Sequence, residues 1–302
     1  MITIDSISRQ FPGVQALKSV SLHVKEGELH GLIGPDGSGK TTLFRILTTL
    51  ILPDQGRASI GKWDVVKDYK KIRTVIGYMP GRFSLYQDLT VEENLNFFAA
   101  VFQVRVKDNY DLIKPIYSRI EPFKNRKAGA LSGGMKQKLA LSCALIHKPG
   151  VLLLDEPTTG VDAVSRREFW DMLYRLIDIG LTILVSTPYM DEAARCHRIS
   201  LIHKGNIFKT DTPEEAVGDF EGELFSLRAE DRLKILTTLR SFSCVTHAYP
   251  NGQDIHIRTI RNTSLQQLEN HLSKTQVPYH ALQHKHPAIE DYFMQRLGSD
   301  EN

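Results

Sequence analysis

The sequence predicts a mixed α/β protein with two domains. Up to about residue 210, short apolar runs alternate with helical patterns: LHGLIG precedes KTTLFRILTTLI, VLLLDE precedes SRREFWDMLYRLI, and LTILVS precedes DEAARCHRI. This alternation is typical of a parallel sheet with crossover helices. Of the 302 residues, 41% are hydrophobic and 24% are charged. These values indicate a folded globular chain and exclude disordered and collagen-like classes.

The charge balance changes sign near residue 210. Residues 1–210 contain 29 Lys and Arg against 21 Asp and Glu, and residues 211–302 contain 9 against 14, so the net charges are +8 and −5. We therefore predict a domain over 1–210 and an accessory α+β domain over 211–302. Strand and helix patterns in the second part follow the order βαββαβ, which predicts a ferredoxin-like fold. Its first helix is expected to bury Leu233, Leu236 and Leu239, and its hairpin to turn at Pro250-Asn251-Gly252.

Several partner classes are not expected. The total charge of +3 is too small to indicate nucleic-acid binding, and the basic run Lys124, Arg126 and Lys127 is predicted to be a solvated loop. Three cysteines without CxxC spacing favour neither a disulfide framework nor a zinc site. The longest apolar stretches are shorter than the roughly 20 residues that span a bilayer.

A phosphate-binding loop is predicted between the first buried strand and its helix. Gly34-Pro35-Asp36-Gly37-Ser38-Gly39-Lys40-Thr41 matches G-x-x-x-x-G-K-[ST], with Thr42 following. The apolar positions Leu43, Ile46, Leu47 and Leu50 share one helix face. Glycines let successive backbone N–H groups point at phosphate oxygens, and the helix N-terminus adds positive potential. Lys40 is expected to reach the β- and γ-phosphates of a nucleotide, and the Thr41 hydroxyl to bind Mg²⁺.

Two acids follow a second buried strand. Val151-Leu152-Leu153-Leu154 is continuous apolar sequence and ends in Asp155-Glu156, at the edge of a parallel sheet where ligands bind. Asp155 is expected to hold Mg²⁺, and Glu156 to act as the catalytic base that polarises the attacking water. Without the upstream phosphate loop, a capped strand end with solvated acids would be the better interpretation.

The motif Leu131-Ser132-Gly133-Gly134-Met135-Lys136-Gln137-Lys138 narrows the family. It predicts a second anion-accepting helix N-terminus, one more than a single nucleotide's own loop requires. The order GPDGSGKTT, LSGGMKQK, LLLDEPTTGVD closely resembles the ATP-binding subunit of ATP-binding cassette (ABC) transporters over residues 1 to about 210. The resemblance implies an ABC cassette fold: a mixed sheet core, an antiparallel β subdomain, and a helical subdomain at about 85–145.

The resemblance also implies a dimer of nucleotide-binding domains stacked head to tail, with ATP and Mg²⁺ between them. Ser132, Gly133 and Gly134 are then expected to contact the partner's ATP, and Asp162 to lie at the dimer seam. Phe11 falls where the family places an aromatic ring against adenine; the alternative is an ordinary core phenylalanine. The second domain would come from another copy or from sequence beyond Asn302.

Two positions depart from the family pattern. After TVIGYMP the family normally has a glutamine that contacts Mg²⁺ and the attacking water, but this chain has Gly81, and Gln87 follows six residues later. After LTILVST the family normally has a histidine that contacts the γ-phosphate, but this chain has Pro188, which offers no hydrogen-bond donor. We therefore expect ATP binding with slow hydrolysis at this chain's own site.

The whole chain is most similar to the N-terminal half of tandem drug-export ATPases. IGYMPGRFSLYQDLTVEEN, LVSTPYMDEA and HPAIEDYF carry that similarity. It implies efflux of drugs or other small molecules through separate ABC-2-type membrane subunits, with the chain cytoplasmic and peripheral on the inner face of the plasma membrane. Core packing is the default expectation for an aromatic cluster at helical spacing, formed by Phe97, Phe98, Val101 and Phe102; the resemblance implies that this region borders the groove that receives the permease. The alternative function is a regulatory or non-transport ABC protein that binds ATP with little hydrolysis.

Overall fold

The structure is a computed structural model that describes residues 1–275 and 277–299. Its packing separates two units, Met1–Pro213 and Glu214–Asn302. Within the described residues, no helix is both long enough and apolar enough to cross a bilayer.

Ten strands build two sheets in the first unit. They are β1 Ile2–Phe11, β2 Val14–Val24, β3 Leu29–Ile33, β4 Gln55–Ile60, β5 Trp63–Asp64, β6 Ile76–Met79, β7 Val151–Asp155, β8 Thr182–Thr187, β9 Arg198–His203 and β10 Asn206–Asp211. The six-stranded sheet has the order β10-β9-β3-β8-β7-β6, in which β10 is antiparallel to β9 and the other pairs are parallel. The order β2-β1-β4-β5 forms an antiparallel sheet. Every residue of β3, β7 and β8 is buried, as expected for strands covered on both faces.

The helices of this unit are α1 Lys40–Leu47, α2 Tyr69–Val75, α3 Val91–Val101, α4 Val106–Tyr117, α5 Gly133–Leu145, α6 Ala163–Asp178 and α7 Met190–Ala193, with short 3-10 turns at Glu121–Phe123 and Ala128–Ala130. A capping box of Thr90 and Glu93 opens α3. Helix α1 is shorter than its sequence pattern predicts. Thr49 takes a left-handed conformation with φ 62°, which ends the helix and leaves Leu50 57% exposed. The prediction that Leu50 shares the helix face of Leu43, Ile46 and Leu47 was therefore wrong.

The second unit contains the strands β11 Glu223–Arg228, β12 Val245–Asn251, β13 Asp254–Thr259 and β14 His280–Lys285, and the helices α9 Arg232–Arg240, α10 Leu265–Leu272 and α11 Ile289–Ser299; α8, Pro213–Gly218, begins at the unit boundary. The strand order is β12-β13-β11-β14, and all pairs are antiparallel.

Two local predictions for this unit need correction. Helix α9 buries Ile235, Leu236 and Leu239, whereas Leu233, in its first turn, is 80% exposed. Strand β12 continues through Asn251, which pairs with Asp254, so the hairpin turns at Gly252-Gln253, with φ 58° at the glycine.

Candidate nucleotide-binding site

The predicted phosphate loop, residues 34–39, joins β3 to α1 and lies in tight contact with its surroundings. A Cβ added at Gly34 would lie 2.2 Å from the carbonyl oxygen of Ile202, and one added at Gly39 would lie 2.4 Å from that of Ala16. Gly39 also has φ 108°, which favours glycine. The two glycines are therefore required by close backbone approach, and they deliver the chain to the N-terminus of α1.

Lys40 is enclosed by this loop. Its Nζ donates to the carbonyl oxygens of Gly34 at 2.8 Å and Pro35 at 3.0 Å, and it forms an ion pair with Glu156 Oε1 at 3.1 Å. The side chain is almost completely buried. The loop thus joins a buried cation to one of the two predicted acids, across the sheet edge.

The loop also retains hydrogen-bonding capacity. Ser38 Oγ is buried and has no hydrogen-bond partner among the residues that the structure describes. Buried polar atoms are rarely left without a partner in folded proteins. An unpaired hydroxyl, a buried ammonium group and a helix N-terminus in one loop together fit a bound phosphate.

The acid pair is positioned by the neighbouring strand β8. Asp155 ends β7 opposite Ser186, whose Oγ donates to Asp155 Oδ1 at 2.6 Å. The same Oγ accepts from the backbone N–H of Glu156 at 3.0 Å. Glu156 has a left-handed φ of 49°, a conformation that is uncommon outside glycine. Ser186 was not predicted as a site residue, because only the strand register brings it to the acids.

A cleft of about 710 Å³ lies at this end of the sheet and is lined by Thr41, Arg45, Tyr78, Gly81, Arg82, Asp155, Glu156 and Thr159, among others. The hydroxyl of Thr41 and the carboxylate of Asp155 are oxygen ligands of the kind that Mg²⁺ prefers. Burial, reinforced by the negative charge of Asp155, raises the pKa of Tyr78 to about 12, so its phenol stays protonated at neutral pH. The residues fit a triphosphate and a divalent cation.

Gly81 and Pro188, the two positions that depart from the family pattern, have different surroundings. A Cβ at Gly81 would lie 3.0 Å from the carbonyl oxygen of Asp155, so the chain approaches the end of β7 more closely than a larger residue easily permits. Gln87 is exposed and its carbonyl accepts from Gly129 N at 2.9 Å; it does not line the cleft.

The segment of Pro188 is held by a buried glutamate. Glu192 Oε2 accepts from the Thr187 hydroxyl at 2.6 Å and from the Thr158 hydroxyl at 3.1 Å. Tyr189 N donates back to Thr187 Oγ1 at 3.0 Å. Sequence reasoning missed Glu192, which ties the end of β8 to the turn that follows the acid pair.

The LSGG segment begins α5 close to the cleft. Its Gly133 and Lys136 line a smaller cavity of about 130 Å³, whose wall also includes Gly81, Arg82 and Glu156 of the cleft. Ser132 is exposed and caps the helix by accepting from Met135 N at 3.4 Å. A Cβ at Gly134 would lie 2.5 Å from Ser165 Oγ, so this glycine allows α5 to approach α6. Among the described residues that line the 710 Å³ cleft, none belongs to this segment.

Asp162 caps the neighbouring helix α6. Its Oδ1 accepts from Val164 N at 3.1 Å and Ser165 N at 2.9 Å, and the hydrogen bond from Ser165 N is the main reason that its pKa lies below the usual range. Phe11, at the end of β1, is half-buried and lies outside the hydrophobic core, and the Arg9 guanidinium is 5.0 Å from its ring centroid.

An apolar groove of about 410 Å³ lies beside the cleft. Tyr78, Pro80 and Leu50 line both cavities. The remaining wall includes Leu85, Phe98, Val101, Phe102, Cys143 and His147. Phe97 and Val101 are 39% and 57% exposed, so the predicted aromatic cluster is partly a surface feature.

Comparison with known proteins identifies the family. The ABC transporter family profile matches residues 17–159. The daunorubicin resistance ATP-binding protein DrrA2 of Streptomyces coeruleorubidus is 30% identical over 98% of this chain and 95% of its own length. The chain belongs to the ABC transporter family. This confirms the family resemblance predicted from the three ordered motifs.

A second relative within the ABC transporter family is the probable multidrug ABC transporter ATP-binding protein YbhF of Escherichia coli (strain K12). It is 35% identical over 99% of this chain but over only 52% of its own length, so the chain spans about half of that relative. Among solved structures, the post-hydrolysis dimer of the ATP-binding cassette MJ0796 bound to ADP and Pi matches 70% of this chain and 98% of its own, at 28% identity and a TM-score of 0.64. The predicted ABC cassette fold is confirmed.

Proposed function

We propose that this chain is the ATP-binding subunit of an ABC exporter, which binds MgATP at a dimer interface and hydrolyses it to drive efflux. The observation that carries the proposal is the ion pair between Lys40 of the phosphate loop and Glu156 of the acid pair, at 3.1 Å. It brings two motifs that are more than a hundred residues apart in sequence to the edge of one cleft.

The proposed roles follow from the site. Residues 34–39 with Lys40, Thr41 and Thr42 hold the phosphates, and Phe11 stacks on adenine. Thr41 and Asp155 would hold Mg²⁺, which would neutralise phosphate charge, and Glu156 would accept a proton from the attacking water. The closed contacts of Lys40 Nζ with two loop carbonyls must rearrange for this lysine to reach a phosphate.

A second nucleotide-binding domain is the proposed first partner. Ser132 and Asp162 are exposed helix caps, and neither is among the described residues that line the 710 Å³ cleft; this exposure supports the use of the LSGG segment and Asp162 at the ATP of another domain. That domain is a second copy or a further part of a longer chain. A permease pair of the ABC-2 type is the proposed second partner, and the apolar groove supports its docking. With such a partner, the proposed location of the chain is the cytoplasmic, inner face of the plasma membrane.

The proposed cargo is a drug or another small molecule. The names of relatives support this choice: YbhF is a probable multidrug ABC transporter ATP-binding protein, DrrA2 is a daunorubicin resistance ATP-binding protein, and another relative is the Nod factor export ATP-binding protein I. The residues that select the cargo would belong to the permease.

Slow turnover at the chain's own site is a further part of the proposal. The cleft receives no side-chain donor from Gly81 or Pro188, and loss of one preorganised donor typically costs about 100- to 1,000-fold in rate. The alternative is a regulatory ABC protein that binds ATP without transport.

The first experiment measures binding of a fluorescent ATP analogue and steady-state hydrolysis by the purified full chain. Lys40→Ala should abolish binding, whereas Lys114→Ala, an exposed lysine on α4, should not. Glu156→Gln should bind normally and lose the remaining hydrolysis. If the wild type binds no ATP, the proposal is wrong; if it binds ATP and Glu156→Gln hydrolyses at the wild-type rate, the alternative is favoured.

The second experiment restores the missing donors. Gly81→Gln combined with Pro188→His should raise turnover, with Gly81→Ala as the control for the close contact with the Asp155 carbonyl. A double variant that folds, binds ATP and stays at the wild-type rate would refute the idea that these positions limit hydrolysis.

A further inference from the structure

Arg82 lies at the acidic end of the nucleotide cleft. The preceding residue, Gly81, approaches the carbonyl oxygen of Asp155 so closely that an added Cβ would lie 3.0 Å from it. Arg82, three residues after the end of β6, therefore lies near the carboxyl end of β7, and it lines the cleft together with Thr41 and Glu156. The side chain is exposed and, among the residues that the structure describes, has no hydrogen-bond or ion-pair partner.

The guanidinium group of Arg82 determines the charge balance of the cleft. Lys40 is paired with Glu156, and the remaining charged groups that line the cleft are Asp155, Arg45 and Arg82. Without Arg82, the two remaining cations would balance the two carboxylates. Arg82 thus supplies the surplus positive charge for an anionic ligand.

Arg45 is less suited to contact the terminal phosphate. It lies four residues beyond Thr41 on α1, which is about 6 Å further along the helix axis. Anions bind at the N-terminus of such a helix, where Thr41 lies. Arg82 instead approaches from the side of the acid pair, at the end of the phosphate chain where Glu156 would polarise water.

We propose that Arg82 binds the terminal phosphate of a nucleoside triphosphate and so makes the site prefer ATP over ADP. Its guanidinium offers a planar fork of N–H donors that matches two phosphate oxygens. It would supply, from position 82, a donor that Gly81 and Pro188 do not. The inference depends on the proposed function of this cleft as an ATP site.

The test compares dissociation constants of fluorescent ATP and ADP analogues for the full chain. Arg82→Ala should weaken ATP binding about ten- to thirtyfold and change ADP binding by no more than about twofold. Arg82→Lys, which keeps the charge and loses the fork, should fall between. Arg119→Ala, an exposed arginine outside the cleft, should change neither constant.

Arg45→Ala removes an equal charge from the same cleft. It therefore distinguishes a direct contact between Arg82 and the terminal phosphate from a general effect of positive charge on nucleotide binding. If Arg45→Ala reproduces the selective loss, or if Arg82→Ala weakens ATP and ADP equally, the inference is overturned. If Lys40→Ala abolishes nucleotide binding while Arg82→Ala has no selective effect, only the role of Arg82 fails. If the wild type binds neither nucleotide, the proposed function fails with it. Thermal midpoints by circular dichroism confirm that each variant is folded.

Discussion

Each unit of the molecule contains a buried aspartate that is bonded to a hydroxyl group. Asp155 of the first unit is 2% exposed and Asp291 of the second is 1% exposed. Ser186 Oγ donates to Asp155 at 2.6 Å, and the Tyr249 hydroxyl donates to Asp291 at 2.6 Å. By burial and by the length of this hydroxyl contact, the two carboxylates are nearly equivalent.

They differ in how fully their oxygens are satisfied. Asp291 also accepts from His256 Nδ1 at 2.5 Å and from Ala288 N at 2.8 Å, so both of its oxygens are bonded. For Asp155, Ser186 is the one hydrogen-bond donor among the described residues, and the carboxylate borders the cleft. Because an incompletely bonded buried charge is costly, we infer that Asp291 serves stability and Asp155 serves ligand binding.

The largest effect is expected for Asp291→Ala. A buried donor that loses its partner typically costs about 1 to 3 kcal/mol, and here the substitution leaves both Tyr249 and His256 without their acceptor. The urea midpoint by circular dichroism should fall. Tryptophan fluorescence should report little change, because Trp63 and Trp170 both lie in the first unit.

Glu290→Ala is the matched control, since this neighbouring acid is exposed and its loss should cost less than about 1 kcal/mol. Equal losses for the two variants would remove the structural role assigned to Asp291.

Asp155→Asn should lower the affinity for MgATP without lowering stability, the opposite of the result expected for Asp291→Ala. Relief of an incompletely bonded buried charge should leave the unfolding midpoint unchanged or raise it, as is common when a functional residue is replaced. Affinity for ATP in the presence of Mg²⁺ should fall about tenfold to a hundredfold, because the amide is a poor ligand for a divalent cation. In EDTA the variant and the wild type should bind equally. A variant that loses stability and keeps its Mg²⁺-dependent affinity would reverse the comparison.

Ser186→Ala is expected to have smaller effects, one on stability and one on affinity for MgATP. Loss of its hydroxyl removes the donor to Asp155 and the acceptor of Glu156 N, at a cost of about 1 to 2 kcal/mol. Affinity for MgATP should decrease less than in Asp155→Asn. Ser200→Ala is the control: this buried serine contacts His30 and Thr210, so a similar stability loss should come without a change in affinity. Equal affinity losses would show that the effect of Ser186 is indirect.

The sequence predicted the parts of the site that are contiguous in the chain. The loop 34–39 and the pair Asp155-Glu156 are local patterns with a required strand and helix context, and the structure brings them together through Lys40. Ser186 and Glu192 were missed because their roles depend on strand register and on contacts across loops, which leave no local pattern. Arg82 stands next to a position that the family pattern singles out, yet only the cleft geometry distinguishes it.

The fold was predicted with similar limits. The buried strands β3, β7 and β8 were evident as short apolar runs, of which the run in β7 is continuous. Leu50 and Leu233 have apolar periodicity but are exposed. Thr49 ends α1 in a conformation that threonine rarely adopts, and Leu233 is at the start of a helix whose buried stripe begins at Ile235. Apolar periodicity in a sequence predicts which face of a helix is buried, but it does not predict at which residue that burial begins or ends.

The smallest effect concerns pH and tests whether Asp291 is stabilised as a carboxylate. Burial raises the pKa of Asp291, but hydrogen bonds from His256, Tyr249 and Ala288 N outweigh it and hold the pKa below its ordinary value. The unfolded chain therefore binds the proton more readily, so the stabilisation is complete above about pH 5 and is lost as the pH falls through the folded pKa. Between pH 7 and pH 3 the wild type should lose about 1 kcal/mol more than Asp291→Asn in urea unfolding followed by circular dichroism. Other carboxylates titrate in both proteins, so this difference reports on Asp291 and the side chains bonded to it. Parallel pH curves would mean that its hydrogen bonds do not favour the charged form, and the contrast with Asp155 would then rest on exposure to the cleft alone.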